Sequence, residues 1–152
     1  MLTDPTVSMI ILSQDFVANL LRIEFGERNV ILQRDEYMDM GKKLAVTPDI
    51  ELVSNNKIAA IADTKYKEID ADDNPLSGHA MHMYSYSSIT KAKKCMLIYA
   101  GINDIEKKEY PLIEGITLYI LQFNLACGSK QEFDMSCSKF TNQIRNIIRG
   151  LS

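Results

Sequence analysis

Long apolar runs and paired cysteines are both missing from this 152-residue sequence. No apolar stretch approaches the roughly 18 residues that a transmembrane helix needs, and the first residues lack the basic stretch and apolar core of a secretion signal. The three cysteines, Cys95, Cys127 and Cys137, are widely spaced and form no Cys-x-x-Cys pair, so the sequence offers no thiolate metal site. We therefore expect a reduced, cytoplasmic chain with no membrane segment.

An excess of positive charge is also missing. The formal net charge is −3 and the sequence pI is about 5.4, so the overall electrostatic field does not favour a free-standing nucleic-acid-binding protein. Contacts to DNA would have to come from a local cluster or from a partner. Two local clusters exist, Lys91 with Lys93 and Lys94, and Arg145 with Arg149, although such clusters are more often solvated helix faces.

The sequence predicts one α/β domain over residues 1–152, without repeats or a low-complexity linker. The 46% content of hydrophobic residues suffices for a core at this length. Apolar residues at helical spacing predict helices over residues 8–25, 79–94 and 136–149. Apolar and β-branched runs predict strands over residues 29–33, 47–53, 58–67, 95–100 and 115–125. The segment 70–78 and the polar segment between the last two strands are predicted to be loops.

Two of these strands concentrate acidic residues and lysines. Because strand side chains alternate, Asp49 and Glu51 share one face of the first strand, and Asp63, Lys65 and Lys67 share one face of the second. The Ser-Asn-Asn-Lys connection predicts an antiparallel hairpin that places Asp49 beside Asp63. The second strand is apolar on both faces before its charged end, which is typical of a buried central strand. Buried charges need partners or a metal, so a structural ion pair and a metal site that cleaves phosphodiesters both remain open.

The ordered motifs resemble the PD-(D/E)xK nuclease superfamily. Pro48-Asp49 and Asp63-Thr64-Lys65, with a helix before them and a helix and strand after them, carry this resemblance. More narrowly, Thr-Pro-Asp-Ile at 47–50, Ala-Asp-Thr-Lys-Tyr-Lys at 62–67 and Met-Tyr-Ser-Tyr at 83–86 resemble the nuclease part of McrC proteins, subunits of McrBC-type restriction systems for modified cytosine. The resemblance implies a restriction-endonuclease-like α-β-β-β-α-β core, a mixed central sheet flanked by helices, and an extra C-terminal strand and helix.

The resemblance also implies an endonuclease that hydrolyses DNA phosphodiesters with a bound metal ion. Asp49 and Asp63 would be metal-binding carboxylates, the Thr64 carbonyl could add a ligand, and Lys65 would orient the attacking water and offset charge on the phosphate. Mg²⁺ is the expected ion, with Mn²⁺ as the alternative, because hard cations prefer oxygen ligands. Asp15 lies closest to the place of a further acidic ligand in the first helix, but a solvent-facing Asp15 is the competing interpretation.

The second predicted helix departs from the family pattern. His79 and His82 stand where family members often have Asp and Gln, and the i, i+3, i+7 spacing places both histidines on one helix face with Tyr86. For His82, three interpretations remain open: a polar contact to water or DNA phosphate, a proton donor near neutral pH, and an ordinary partly buried histidine. A zinc site is the weakest interpretation, because two histidines without a third ligand do not form one.

A partner subunit is a further implication of the resemblance. McrC-like chains usually carry an N-terminal region that docks onto a ring-forming, nucleotide-hydrolysing McrB subunit, and this sequence begins almost at the nuclease helix. We therefore expect a single nuclease domain without that docking region, acting on DNA with a McrB-like motor subunit or alone. The alternatives are a catalytically inactive nuclease-fold module that binds DNA or a protein, and a nuclease of the same superfamily that acts on other DNA or RNA. The oligomeric state is left open.

Overall fold

A computed structural model describes residues 5–66, 77–101, 107–124 and 127–149. The three helices in these ranges are α1 (Pro5–Phe25), α2 (Ser77–Thr90) and α3 (Lys130–Arg149). The strands of the same ranges are β1 (Val30–Leu32), β2 (Glu36–Tyr37), β3 (Ala45–Val46), β4 (Ile50–Ser54), β5 (Lys57–Tyr66), β6 (Lys94–Gly101), β7 (Lys108–Pro111) and β8 (Thr117–Asn124). Short 3₁₀ turns lie at Glu27–Asn29 and Ile113–Gly115.

Six of the described strands form one mixed sheet in the order β1-β4-β5-β6-β8-β7. Strands β1, β4 and β5 pair antiparallel, β5, β6 and β8 pair parallel, and β7 pairs antiparallel with β8 at the edge. Parallel neighbours need a crossover connection, and α2 lies between β5 and β6 in the chain. The predicted α/β class is confirmed, with its mixed central sheet flanked by helices and its additional strand and helix after the core.

Apolar side chains cover both faces of the central sheet. On the first face, side chains of β5, β6 and β8 pack against α1 and α3, including Val17 and Phe140. On the second face, Ile61 packs in a layer with Met83 of α2. Burying one large apolar side chain stabilises the fold by about 1.5–3 kcal/mol. These two layers hold β5 at the centre of the sheet, and Asp63 lies two residues beyond Ile61 on the second face.

The two largest errors in the predicted helix boundaries are four and six residues, at the end of α2 and the start of α3. Helix α2 ends at Thr90, before the predicted end at residue 94, because Lys91 adopts a left-handed φ of 67°. Helix α3 begins at Lys130, six residues before the predicted start. Its first turns are mostly exposed, but Phe133 extends the apolar spacing of Cys137 and Phe140 and packs against Phe16 and Phe123. Ser129 is the N-cap of α3 and its Oγ accepts from the Glu132 N–H at 3.1 Å, while the Glu132 carboxylate accepts from the Gly128 N–H at 2.7 Å.

Three short strands occupy segments in which the sequence predicts no strand. Strand β7 lies at the sheet edge with alternating partial burial, so its polar residues give no apolar run, and its proline is tolerated at an edge. Strands β2 and β3 form a separate two-stranded ribbon. Lys67 and residues 70–76 of the predicted loop lie outside the described residues. Across the ranges described here, no helix has the length and apolar character required to cross a bilayer.

Candidate active site

A tight turn between β4 and β5 aligns the two candidate carboxylates. Asn55 and Asn56 both have positive φ angles, 53° and 61°, as a two-residue type I′ hairpin turn requires. The register pairs Ile50 with Ala62, so Asp49 enters β4 opposite Asp63. The predicted hairpin is thus present, and it brings the two aspartates together.

Each aspartate is held by the main chain of the opposite strand. The Asp49 N–H donates to Asp63 Oδ1 at 3.3 Å, and the Thr64 N–H donates to Asp49 Oδ2 at 3.0 Å. The Thr64 hydroxyl lies 3.3 Å from the same Asp49 oxygen and donates to it. These crossed hydrogen bonds fix both carboxylates at the point where the hairpin meets the sheet.

Proline removes one main-chain donor next to the two aspartates. Extending the β4–β5 register past Ile50 places Pro48 opposite Thr64. The N–H and C=O of a strand residue in a paired position point to the same neighbour, and the Thr64 N–H points to the β4 side. Pro48 has no N–H to donate to the Thr64 carbonyl. The Thr64 carbonyl, which the sequence predicted as a third ligand, therefore points to the β4 side. Pro48 cannot donate a main-chain hydrogen bond to it.

Lys65 completes the cluster as an ion pair. Its Nζ lies 2.9 Å from Asp63 Oδ2, with 29% of the lysine side chain and 9% of the aspartate side chain exposed. The structural ion pair that the sequence left open is present. It lies inside the same cluster as the crossed carboxylates, so the ion pair and a metal site are not mutually exclusive.

The electrostatics of the cluster favour an added cation. Burial raises the pKa of Asp49 from 3.8 to about 6, and the nearby Asp63 charge contributes to the rise. The Thr64 N–H and the Lys65 ammonium oppose the rise without cancelling it. Two carboxylates facing one ammonium in a shielded site have a surplus negative charge. Hard oxygen donors with surplus negative charge fit Mg²⁺, which keeps several waters when protein supplies few ligands.

Two further observations concern the number of side chains that could coordinate a metal ion here. Asp15 is exposed on α1, and no hydrogen bond or ion pair within the described residues joins it to Asp49 or Asp63. Within the same residues, no three His, Cys, Asp or Glu side chains are grouped to hold a metal ion by themselves. A metal ion at Asp49 and Asp63 would therefore have only these two acidic side chains from the described residues, and its other ligands would be main-chain oxygen and water.

Two tyrosines lie close enough to sense the carboxylates. Burial raises the pKa of Tyr86 on α2, and the charges of Asp63 and Asp49 add to that rise. Burial also raises the pKa of Tyr99 on β6, with a contribution from Asp63. Tyr99 neighbours Lys65 in the parallel β5–β6 register. The sequence predicted Tyr99 only as part of a buried strand. Its proximity to the carboxylates depends on the β5–β6 register, which the sequence does not reveal.

The two histidines of α2 reach the site through these tyrosines. His79 Nδ1 lies 3.2 Å from the Tyr99 hydroxyl. His82 is exposed, and its ring stacks on the Tyr86 ring with centroids 6.3 Å apart and planes at 20°. In the described contacts His82 has no hydrogen bond to the carboxylates. It borders the site next to Tyr86, which leaves a role in contacting substrate open.

A second buried carboxylate lies on the same side of the sheet. The side chain of Glu51 is 0% exposed and is gripped by Arg34, whose Nη2 and Nε lie 3.0 and 3.3 Å from its two oxygens. Arg34 Nε also lies 3.2 Å from Glu36. The sequence placed Glu51 on the face of Asp49 but did not single out Arg34, because nothing local indicates a pair 17 residues apart.

Several cations of the two predicted basic clusters are used inside the fold. Lys94 Nζ donates to the Ile147 carbonyl at 2.5 Å, and Lys93 Nζ donates to a main-chain carbonyl at 3.1 Å. Arg145 pairs with Glu24, joining α3 to α1. Lys93, Lys94 and Arg145 thus connect neighbouring elements of the fold, whereas Lys91 and Arg149 are exposed.

Comparisons with known proteins point to one restriction system. The family model of the McrBC 5-methylcytosine restriction system component matches residues 7–100, more than half of the chain. Among solved structures, a chain in the assembly of Thermococcus gammatolerans McrB AAA+ hexamers with bound McrC matches with a TM-score of 0.67 and 19% identity. The match covers 90% of this chain and 33% of that chain, so this chain spans about a third of that one. A comparison with curated proteins finds no match.

Proposed function

The chain belongs to the family of McrBC 5-methylcytosine restriction system components, and on that premise we propose that it is a Mg²⁺-dependent DNA endonuclease domain. The crossed arrangement of Asp49 and Asp63 beside Lys65 carries this proposal. A fold of this kind without catalysis would gain more stability from apolar residues at these positions than from two adjacent carboxylates. Binding of a cation between the two carboxylates would offset their repulsion and explain why both are kept.

Asp49, Asp63 and the Thr64 carbonyl would hold the ion, which fits their oxygen donors. Bound Mg²⁺ would supply positive charge against the negative charge that develops on the phosphate, and Mn²⁺ could replace it. Asp49 is ionised at neutral pH despite its raised pKa of about 6, and the Thr64 N–H and hydroxyl keep its carboxylate oriented. The proposal does not depend on Asp15.

Lys65 would act on the water and the phosphate. Its ammonium is partly exposed and anchored by Asp63 at 2.9 Å, so it can donate to an attacking water or to a non-bridging phosphate oxygen without leaving the cluster. Fixed donors aimed at developing negative charge are an effective source of rate acceleration. On the rim, we assign exposed His82 a polar contact to substrate phosphate, with Tyr86 holding its ring in place.

A McrB-like motor subunit is the partner that we propose. The matched assembly contains McrB AAA+ hexamers with bound McrC, and the net charge of −3 suits a domain that is delivered to DNA by another subunit. We place the chain in the cytoplasm, where thiols such as Cys95 stay reduced.

Metal binding and DNA cleavage should be measured together. Calorimetric titration with Mg²⁺ and nicking of methylated and unmodified plasmid, with and without a McrB-type subunit, would be compared for wild type, Asp63→Asn and Lys65→Met. We expect Asp63→Asn to lose both metal binding and nicking, and Lys65→Met to lose nicking while it still binds metal. Asp134→Asn on α3 is the matched exposed control. Equal cleavage by all four proteins would overturn the site assignment, and DNA binding without metal binding would indicate an inactive module.

A further inference from the structure

The β2–β3 hairpin (residues 36–46) presents an unusual concentration of exposed apolar side chains. Of the nine exposed large apolar residues among those described, four lie on it: Tyr37, Met38, Met40 and Leu44. Met40 is fully exposed and Leu44 is 57% exposed. Single exposed apolar residues are ordinary, but a cluster on one short element marks an interaction site.

The tip of this hairpin has a defined conformation. The Asp39 carboxylate accepts from the Lys43 N–H at 2.9 Å and from the Leu44 N–H at 2.7 Å, and the Met38 N–H donates to the Leu44 carbonyl at 2.9 Å. These main-chain hydrogen bonds lower the pKa of Asp39. The exposed side chains are therefore displayed on a closed turn.

The base of the hairpin is tied to the proposed active site. Arg34, just before β2, is held by the fully buried Glu51 and by Glu36 of the hairpin itself. The preceding residue, Gln33, donates its N–H to the Asp49 carbonyl at 3.0 Å. Strand β2 also contacts α2, the helix that covers the site-bearing face. The base of the hairpin is thus hydrogen-bonded to Asp49 and Glu51, next to the carboxylate pair.

Charge identifies the kind of molecule that the tip fits. The carboxylates of the hairpin are engaged internally, Glu36 by Arg34 and Asp39 by main-chain N–H groups. Lys42 and Lys43 are exposed and form no ion pair with any residue in the described ranges. Two exposed lysines beside protruding methionine and leucine side chains match a polyanion with an apolar interior, which is duplex DNA.

We propose that the β2–β3 hairpin is a DNA wedge, in which Lys42 and Lys43 contact phosphates while Met40 and Leu44 enter the minor groove beside the cleavage site. Apolar side chains in the minor groove partly unstack base steps and kink the duplex. The choice of DNA as occupant rests on the proposed function. The wedge would supply a local contact to DNA in a chain whose net charge is negative.

Binding can be tested without cleavage in the full chain carrying Asp63→Asn, in EDTA. Fluorescence anisotropy with a labelled duplex would give the affinity and its salt dependence, and 2-aminopurine in the duplex would report unstacking. We expect Lys42→Gln with Lys43→Gln to reduce the slope of log K against log salt by about 2, since each phosphate contact contributes about 0.9. Met40→Ser with Leu44→Ser should weaken binding about tenfold, equivalent to about 1.4 kcal/mol, and abolish the 2-aminopurine signal without changing the slope.

Matched controls lie on the exposed N-terminal part of α3, where Met135→Ser and Lys130→Gln should change neither readout. Unchanged affinity and slope in the hairpin variants would overturn the wedge, as would undetectable duplex binding by the Asp63→Asn chain with an unaltered hairpin. A change in self-association, measured by sedimentation with DNA affinity unaltered, would also overturn it and assign the hairpin to a protein contact. If wild type fails to cleave DNA with Mg²⁺ but the hairpin variants lose DNA binding, the proposed function fails and the wedge stands.

Discussion

Replacing Asp49 by asparagine should make the metal-free protein more stable, although it removes a proposed ligand. In the native state Asp49 is partly buried beside Asp63, which raises its pKa from 3.8 to about 6. Ionised Asp49 is therefore a net cost to the folded state at neutral pH. Asparagine keeps the shape, and its side-chain oxygen can still accept the Thr64 N–H.

The expected gain follows from the raised pKa. A rise from 3.8 to about 6 corresponds to at most about 3 kcal/mol, and solvent access to Asp49 reduces this figure. We expect Asp49→Asn to increase the free energy of unfolding by about 1–2 kcal/mol at about pH 7. Because the native state holds the proton more tightly, the cost of ionisation is fully present above about pH 6. This cost disappears as the pH falls towards the ordinary pKa of 3.8, so the unfolding free energies of wild type and variant should become similar near pH 4.

Urea unfolding in EDTA across this pH range measures the effect. Asp134→Asn on α3 is the control for removal of an exposed carboxylate. Saturating Mg²⁺ should stabilise wild type by mass action and leave the stability of Asp49→Asn unchanged. The difference in unfolding free energy between the two proteins should therefore shrink or change sign when metal is added. A variant that is less stable than wild type in EDTA at about pH 7, or a difference that does not depend on pH, would refute the repulsion argument.

Three further changes test other parts of the structure. Arg34→Met should leave Glu51 unpaired in the interior and lower the free energy of unfolding by about 3 kcal/mol at about pH 7, which is the cost of protonating a glutamate with an ordinary pKa of 4.5. In urea unfolding this loss should shrink as the pH falls, and Glu51→Met in the same chain should largely restore the stability. Lys65→Arg should keep the ion pair with Asp63 but cleave plasmid more slowly than wild type, because the planar guanidinium does not reproduce the ammonium position; equal rates would refute a positional role. Phe140→Ala should cost about 3–5 kcal/mol of unfolding free energy, since its ring is 2% exposed in the layer beneath α3, and a loss under about 1 kcal/mol would contradict that packing.

The central hairpin was predictable from local pattern. Alternation along each strand, two-sided apolar burial before Asp63 and a turn rich in asparagine are all properties of neighbouring residues. They place Asp49 opposite Asp63 without any long-range information, and the structure brings the two aspartates together. The ion pair of Lys65 with Asp63 follows from the same alternation, because the two residues share a strand face.

Other parts of the site depend on contacts between distant segments. Tyr99 lies near the carboxylates only because β6 pairs parallel to β5 in one register. Arg34 reaches Glu51 because β1 occupies the sheet edge beside β4. The β2–β3 hairpin has two residues in each strand, too few for alternation to be visible. These features required the tertiary arrangement.

The face of the sheet that carries the proposed site departs from what stability alone favours. On the side covered by α2, Ile61 and Leu97 occupy interior positions, yet Glu51 and Asp63 occupy similarly buried positions on the same side. A buried carboxylate with a partner is at best neutral compared with an apolar residue, and the crossed aspartates are unfavourable to each other. Both departures lie near the start of β4, where Asp63 belongs to the proposed cation site and Glu51 holds Arg34 at the base of the β2–β3 hairpin. If function maintains these buried carboxylates, replacing both Arg34 and Glu51 by apolar residues should preserve the stability of the fold while it loosens the β2–β3 hairpin. DNA affinity in the Asp63→Asn background should then fall without a loss of unfolding free energy.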